Sequence, residues 1–382
     1  MAEQFYLIAL HGGAGTHAKS FDKGLRKALK LACTRAVDAL KAGDPALKVV
    51  EDSITFLEDD PCLNAGFGSN LTRNGTVECD AAVMDGRTCD FGGVGAVSGL
   101  KNPIKAARAV LEHSRVPDPL GRIPPLLLVS DGATKFAESK GVETVSAESL
   151  ISPRAKEEWM KWKTKLDSAI AGNPSDEAVP SEQSSTSPIS PSTADSLRAI
   201  QDTVGAVALD AEGNTSTGVS SGGLLLKHPG RVGEAAVYGA GCWAKDRENG
   251  EGPRGVACSV SGTGEHIIRS MLAKTLGDAV AASDDDTHSV VERVLGEFYK
   301  DCERRGEQSP QAGVLLLVKE RSDSRTVAAR LWCAFTTETM AVAYASSLDP
   351  KPRALVLRHQ RAELSHVAGA PIYITSLPLE RA

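Results

Sequence analysis

Thr203 is the residue whose surroundings point most directly to chemistry. A threonine hydroxyl is a poor nucleophile until a base removes its proton. A cut just before Thr203 would free its α-amine, with an ordinary pKa of roughly 7.7–8, to act as that base on its own hydroxyl. The neighbouring chain suits such a cut. Asn173 to Asp195 is serine-rich, holds Pro174, Pro180, Pro188 and Pro191, and has no aromatic residue; Asp202 precedes Thr203, and a strand-like run, Asp202 to Asp210, begins there. A Ser/Pro segment of this kind buries too little apolar surface to offset its ordering entropy and is expected to be disordered. Taken alone, these features also describe a passive interdomain linker followed by an ordinary β-branched strand residue.

Other motifs offer less. Gly218-Val219-Ser220-Ser221-Gly222 satisfies G-x-S-x-G. A nucleophile elbow must open a helix, however, and Pro229-Gly230 stops any helix there. His11-Gly12-Gly13-Ala14-Gly15 follows a strand-like run, but Ala18 stands where G-x-G-x-x-G needs its third glycine. The 8 histidines are scattered and the 8 cysteines never form C-x-x-C, so no zinc or dithiol redox site is expected.

The elements that would hold Thr203 are legible in outline. Phe5 to Leu10 reads as a buried strand entering a turn at His11 to Gly15. Asp22 to Ala42 repeats apolar residues at helical spacing and stops at Gly43 and Pro45. Further helices are expected over Ala46 to Leu57, Ile104 to His113, Ala155 to Ile170 (exposed, with Trp159 and Trp162) and Glu265 to Ala282. Asp202 to Asp210 and Thr215 to Leu226 read as a hairpin, Gly255 to Val260 as a strand, and Val314 to Lys319, Val327 to Phe335 and Thr339 to Tyr344 as an antiparallel meander.

Bulk composition bounds the function. A length of 382 residues suggests two or three domains at ~150 residues each. A net charge of −6 offers no basic field for nucleic acid. No apolar run approaches the ~20 residues that span a bilayer, so no membrane role is expected. The start, MAEQFYLIALHGGAG, has no basic stretch before its apolar run, so no secretory signal is expected and the thiols should be reduced. The expected compartment is cytoplasmic. Glycine is in excess, at 36 residues, and it gathers at 12–15, 66–68, 92–95, 205, 222–223, 230–233, 239–241 and 262–264, where backbone must turn or approach closely.

Asn64-Ala65-Gly66-Phe67-Gly68, Asp80-Ala81-Ala82-Val83-Met84-Asp85-Gly86, Asp202-Thr203-Val204-Gly205-Ala206-Val207, Ser220-Ser221-Gly222-Gly223, Gly230-Arg231-Val232-Gly233 and Gly262-Thr263-Gly264-Glu265 together resemble the type-2 asparaginase family of N-terminal-nucleophile (Ntn) hydrolases. Lys227 to Gly233, Tyr238 to Ala244, and Asp rather than Gly before the nucleophile resemble its threonine aspartase (taspase) branch. The resemblance spans nearly the whole chain except Asn173 to Asp195. It implies an α+β, four-layer αββα sandwich made as one domain, 1–382, that cuts itself at Asp202–Thr203 into an α subunit, 1–202, and a β subunit, 203–382.

It also implies roles. Thr203 would be the nucleophile, Ser221 the neighbouring hydroxyl that holds its rotamer, Ser261 and Gly262 the oxyanion contacts, and Asn64 a pocket residue orienting substrate and water. Arg231 would grip the substrate carboxylate through a bidentate fork. The loop Leu57 to Phe67 resembles one that holds a structural sodium ion on the backbone of Leu57, Glu58, Asp60, Leu63, Ala65 and Phe67; no other cofactor is implied. The asparaginase branch has Asp three residues after the matched Arg, on the substrate's α-ammonium, and the threonine aspartase branch usually lacks a carboxylate there. This chain has Glu234.

The expected activity is therefore that of a self-processing threonine hydrolase, resembling threonine aspartase, that cleaves a peptide or protein on the carboxyl side of Asp. The alternative is an L-asparaginase or isoaspartyl aminopeptidase acting on asparagine or isoaspartyl dipeptides, with Glu234 on the α-amine; it gains if Glu234 points into the pocket. A third possibility is an inert, unprocessed homologue serving as an interaction module. The resemblance further implies a dimer of αβ units and, through the threonine aspartase branch, allows a nuclear pool.

Overall fold

Two β-sheets face each other, and the strand sequences explain why. In the computed structural model, which describes residues 5–171, 202–246, 254–307, 309–320, 328–359 and 371–380, β1 (Leu7–Gly15), β2 (Cys79–Asp85), β5 (Val204–Leu209) and β11 (Thr339–Ser346) are buried on both faces. Their side chains divide by parity, as the pleat demands. Leu7, Ala9, Ala82, Met84, Val207, Leu209, Met340 and Val342 enter the core between the sheets. Ile8, Leu10, Ala81, Val83, Ala206, Ala208, Ala341 and Ala343 pack instead under helices.

With β3 (Phe91–Val97), β4 (Leu127–Val129), β6 (Thr215–Ser221) and β12 (Asp349–Arg358), these strands form an eight-stranded sheet in the order β12-β11-β1-β5-β6-β2-β3-β4. The second sheet has five strands, β13 (Tyr373–Leu377), β10 (Ala328–Phe335), β9 (Ala312–Glu320), β8 (Arg254–Gly262) and β7 (Cys242–Lys245), in that order. Helices α1 (Asp22–Lys41), α2 (Ala46–Glu58) and α3 (Pro103–Ser114) cover the outer face of the first sheet, with α4 (Ser130–Ser139) beside α3. α5 (Pro153–Ala171) follows. On the other side lie α6 (Gly264–Ser270), α7 (Leu272–Ala282) and α8 (Thr287–Arg304). The result is the expected αββα layering.

Several expectations need correction. His11 to Gly15 is not a turn but the end of β1, paired through Ala14 with Met340 and Gly15 with Thr339 after a bulge between His11 and Ala14. The helix expected over Glu265 to Ala282 breaks at Met271, which adopts a left-handed φ of 47°. The strand returning from Thr215 ends at Ser221, not Leu226. The meander is split: β9 and β10 pair in the second sheet, while β11 crosses to the first and pairs with β1 and β12. α5 is not a wholly exposed helix, because Trp162 is buried with Leu225 and Leu226, and the half-buried Trp159 donates its indole N–H to Thr72 O at 2.7 Å. The segment Asn173 to Asp195 lies outside the described residues. No helix among the described residues is long and apolar enough to cross a membrane.

Candidate active site

β5 begins one residue after Thr203 and lies between β1 and β6. That placement sets Thr203 at the end of a central strand, 2% exposed. Its backbone carbonyl accepts from His11 Nδ1 at 3.0 Å, while His11 Nε2 lies 2.8 Å from Ser259 Oγ. Burial pushes the His11 pKa down to about 4, so the ring is neutral. Its one proton then sits on Nδ1, facing the Thr203 carbonyl, and Nε2 shares the Ser259 hydroxyl with Gly218 O, 3.1 Å from Ser259 Oγ. His11 thus fixes the backbone of Thr203 but does not touch its hydroxyl.

The hydroxyl has two other neighbours. Thr203 Oγ1 lies 3.1 Å from Ser221 Oγ and 3.1 Å from Glu234 Oε1. Ser221, the last residue of β6, also accepts from Gly223 N at 3.0 Å. One hydroxyl has one proton to give, and a carboxylate accepts it more strongly than another hydroxyl. The Thr203 proton therefore points at Glu234, and Ser221 is left to donate to Thr203 Oγ1. Glu234 opens a short 3-10 turn, Glu234–Ala236, held from below by Asp80, whose carboxylate accepts from Gly233 N and Ala96 N, each at 2.8 Å. Burial raises the Glu234 pKa to about 7 against the opposing pull of Arg231.

Arg231 approaches the same space from the other side. Its Nε and Nη2 fork onto Glu265 at 2.8 and 2.7 Å, whereas Nη1 is buried with no hydrogen-bond partner among the described residues. Gly264 allows both charged side chains to enter: a Cβ there would lie 2.4 Å from Glu234 Oε2 and 2.7 Å from Arg231 Nη2. Thr203, Ser221, Gly223, Leu224, Arg231, Glu234, Gly262 and Gly264 line one small cavity of about 10 Å³, room for about one water.

Asn64 acts on the other side of the Asp202–Thr203 bond. Its Nδ2 donates to Asp202 O at 2.7 Å and Gly223 O at 3.0 Å, and its Oδ1 is fixed by Asn70 N at 2.8 Å. Asp202 itself packs onto Gly13, whose φ of 103° is left-handed and where a Cβ would lie 2.6 Å from both Asp202 Cβ and Oδ1. Beyond Asp202 opens a larger cavity, about 370 Å³, lined among others by His17, Phe21, Cys62 and Arg154.

The structure thus brings Thr203, Ser221, Arg231, Glu234 and Gly262 around one space, with Asn64 on the neighbouring carbonyl. Ser261 lies one residue behind; its fully buried hydroxyl accepts from Ala14 N at 3.1 Å and fixes the bulge of β1. Sequence reasoning did not single out His11 or His17 as site residues. A lone histidine carries no spacing signal, and both find their partners more than 180 residues away. In the loop Leu57 to Phe67, a Cβ on Gly66 would lie 2.5 Å from Glu58 O, and one on Gly68 would lie 1.9 Å from Leu63 O and 2.9 Å from Asp60 O. Backbone carbonyls of Glu58, Asp60 and Leu63 therefore press against these two glycines and leave no room for a side chain. Among the described residues no group of three or more His, Cys, Asp or Glu could hold a metal ion.

A family model for asparaginase (Asparaginase_2) matches residues 4–314. The chain is 36% identical over 270 residues to an isoaspartyl peptidase/L-asparaginase of Xenopus laevis, covering 71% of this chain and 74% of that protein. It is 35% identical over 299 residues to an isoaspartyl peptidase of Escherichia coli, covering 76% and 82%. It is 34% identical over 269 residues to the human isoaspartyl peptidase/L-asparaginase, covering 70% and 74%. These relatives bear small-substrate names, so the narrower resemblance to threonine aspartase gains no support from them.

Proposed function

The chain belongs to the asparaginase family of Ntn hydrolases, and from that membership we propose that it is an isoaspartyl peptidase/L-asparaginase that first cuts itself between Asp202 and Thr203. The observation that carries the choice of substrate is Glu234 inside the cavity with Arg231 Nη1 unpaired beside it. A buried carboxylate and a free guanidinium donor match an ammonium and a carboxylate borne by one small molecule. Asparagine and isoaspartyl dipeptides carry both groups next to their β-carbonyl. An aspartate inside a protein chain still offers its side-chain carboxylate to Arg231, but its α-nitrogen is an amide and brings no ammonium to the buried Glu234, which disfavours the endopeptidase reading.

In self-cleavage, Thr203 Oγ bonds to the Asp202 carbonyl carbon and the C–N bond to Thr203 breaks, while the hydroxyl proton passes through Glu234 to the departing amine. Asn64 Nδ2, already on Asp202 O, stabilises the oxygen as it gains charge. Water then hydrolyses the ester, leaving a carboxylate on Asp202 and a free hydroxyl and amine on Thr203. The products are an α subunit, 1–202, and a β subunit, 203–382. The roughly 10 Å³ cavity of the uncut chain is far below the ~300 Å³ or more of a ligand site, so processing also opens the pocket.

In turnover, the freed α-amine takes the Thr203 proton, the hydroxyl attacks the substrate β-carbonyl, and ammonia or an amino acid leaves with a proton. Water then releases aspartate. Ser221 holds the nucleophile, and Gly262, which lines the cavity, supplies an oxyanion contact, while Ser261 behind it braces β1 through Ala14 N. We also propose that a sodium ion on the carbonyls of Leu57, Glu58, Asp60, Leu63, Ala65 and Phe67 braces the Asn64 loop without entering the chemistry. Two αβ units are proposed to associate, with a native mass about twice the 40.1 kDa of one chain.

The test is ammonia release from L-asparagine and amino-acid release from an isoaspartyl dipeptide by the cut protein, run beside a long peptide with internal Asp–X bonds. Turnover of the small substrates is expected; cleavage of the internal bond alone would restore the threonine aspartase reading, which Asp202 before the nucleophile favours. Arg231→Lys should raise KM for asparagine about tenfold or more with self-cleavage little changed, because a point-charge ammonium cannot copy the guanidinium fork. An unchanged KM would remove Arg231 from the substrate site.

A further inference from the structure

An acyl shift at Asp202–Thr203 needs no carboxylate on residue 202, yet the structure builds a fitted place for one. The Asp202 Cβ rests on Gly13, where any side chain would collide. Its Oδ2 lies 3.3 Å from Nε2 of His17, whose side chain is 6% exposed. The hydrogen bonds around His17 determine its protonation. Thr339 Oγ1 donates its single proton to Gly15 O and accepts from His17 N, each at 3.0 Å. Its 2.6 Å contact with His17 Nδ1 therefore requires the proton to be on Nδ1. In a neutral ring Nε2 would then turn a lone pair toward the Asp202 carboxylate. Only the imidazolium suits that position, and the contact is an ion pair rather than an aligned hydrogen bond.

We propose that His17, as an imidazolium, is the positioning residue that selects aspartate at the self-cleaved bond and holds it with its carbonyl against Asn64. The proposal rests on the self-processing reading above. With Gly13 beneath the Cβ, His17 on the carboxylate and Asn64 on the carbonyl oxygen, Asp202 is held at three points on either side of the carbon to be attacked. The other charged groups near His17 are accounted for. Arg358, on β12, donates to His17 O and pairs with Asp22, at the start of α1. Arg154, Glu158 and Cys62 line the adjoining cavity, and Arg154 is bound to the carbonyls of Pro61 and Gly68. Burial alone would lower the His17 pKa, but the Asp202 charge more than offsets it, so the ring titrates above the usual 6.5. The positioning therefore holds while the ring is charged and the Asp202 carboxylate ionised, and fades as pH rises through that raised value.

Two measurements test this. Self-cleavage of the full chain is followed by denaturing mass analysis across pH for wild type, His17→Gln, Asp202→Asn and the double variant. His17→Gln is expected to slow cutting about tenfold near neutral pH and to abolish the decline on the alkaline side. Asp202→Asn should match it without disturbing His17 packing, and the double variant should be no slower than either single one, as coupled residues require. Single variants that cut at the wild-type rate with the alkaline decline intact overturn the proposal and leave self-processing standing.

The second measurement does not depend on cutting. In uncut Thr203→Ala, the His17 Cε1 proton should titrate above the usual histidine value by NMR and fall back when Asp202→Asn is added. Titration at or below the usual value overturns the pairing. Wild-type protein that never cuts, with His17 titrating high, would instead sink the self-processing reading, and the positioning role with it.

Discussion

Thr203→Ala leaves one uncut chain of 40.1 kDa, whereas wild type resolves into residues 1–202 and 203–382 on a denaturing mass spectrum. The same change lowers asparagine hydrolysis by on the order of 10⁴–10⁶-fold, the scale seen when a covalent enzyme loses its nucleophile. Both losses follow from one atom. In the proposed mechanism Thr203 Oγ1 attacks residue 202 in the precursor and the substrate afterwards. Ser221 Oγ stands 3.1 Å away but belongs to the end of β6, facing the side of the nucleophile. Thr203→Ser keeps the oxygen and should still cut, more slowly, because it lacks the methyl group that restricts χ1. The alanine chain should fold. Its Cβ is retained at a position 2% exposed, and the lost hydroxyl bonds fall on Ser221, which keeps Gly223 N, and on Glu234, which can protonate. A Thr203→Ala chain that still separates into the two pieces would show that another group makes the cut.

How much of this was legible in the sequence depended on how local each cause is. The helices declared themselves through period: Leu25, Leu29, Ala32, Ala36 and Leu40 recur on the buried face of α1 as the spacing predicts. Period could not show which sheet a strand joins. Met340, Val342 and Tyr344 alternate with Ala341, Ala343 and Ala345 just as a meander strand would, yet β11 crosses to the other sheet because its long-range partners are on β1 and β12. Glycine was ambiguous in the same way. His11 to Gly15 reads as a turn by composition, but the left-handed φ needed at Gly13 serves a strand bulge that admits Asp202. The site divided along that line too. Residues inside motifs, such as Arg231 and Gly262, were legible through the resemblance those motifs carry, whereas His17 depends on Thr339 and Asp202, which only the fold brings to it.

Glu234 is where sequence left a choice and structure supplies a distance, and its variants separate two roles. Its Oε1 lies 3.1 Å from the Thr203 hydroxyl, so before any α-amine is free it is the base in reach. Glu234→Gln keeps the shape, removes the basicity, and should slow self-cleavage by about 10²–10⁴-fold, the usual worth of a positioned general base. Because burial raises its pKa to about 7, the wild-type cutting rate should climb as pH rises through that value and the carboxylate form fills, until the alkaline decline set by His17 takes over; the limbs separate in His17→Gln, which keeps the climb and loses the decline. An ordinary glutamate would already be ionised there, and the climb would be absent. Glu234→Asp is the discriminating change. Shortened by one methylene, about 1.5 Å, the carboxylate draws back from Thr203 Oγ1 but stays beside Arg231, so cutting slows while the cut enzyme keeps its affinity for the ammonium of asparagine. Glu234→Gln, once given time to process, should instead show a raised KM for asparagine. Equal KM values for wild type, Asp and Gln would mean that Glu234 never meets the substrate amine, and equal cutting rates that it never serves the nucleophile.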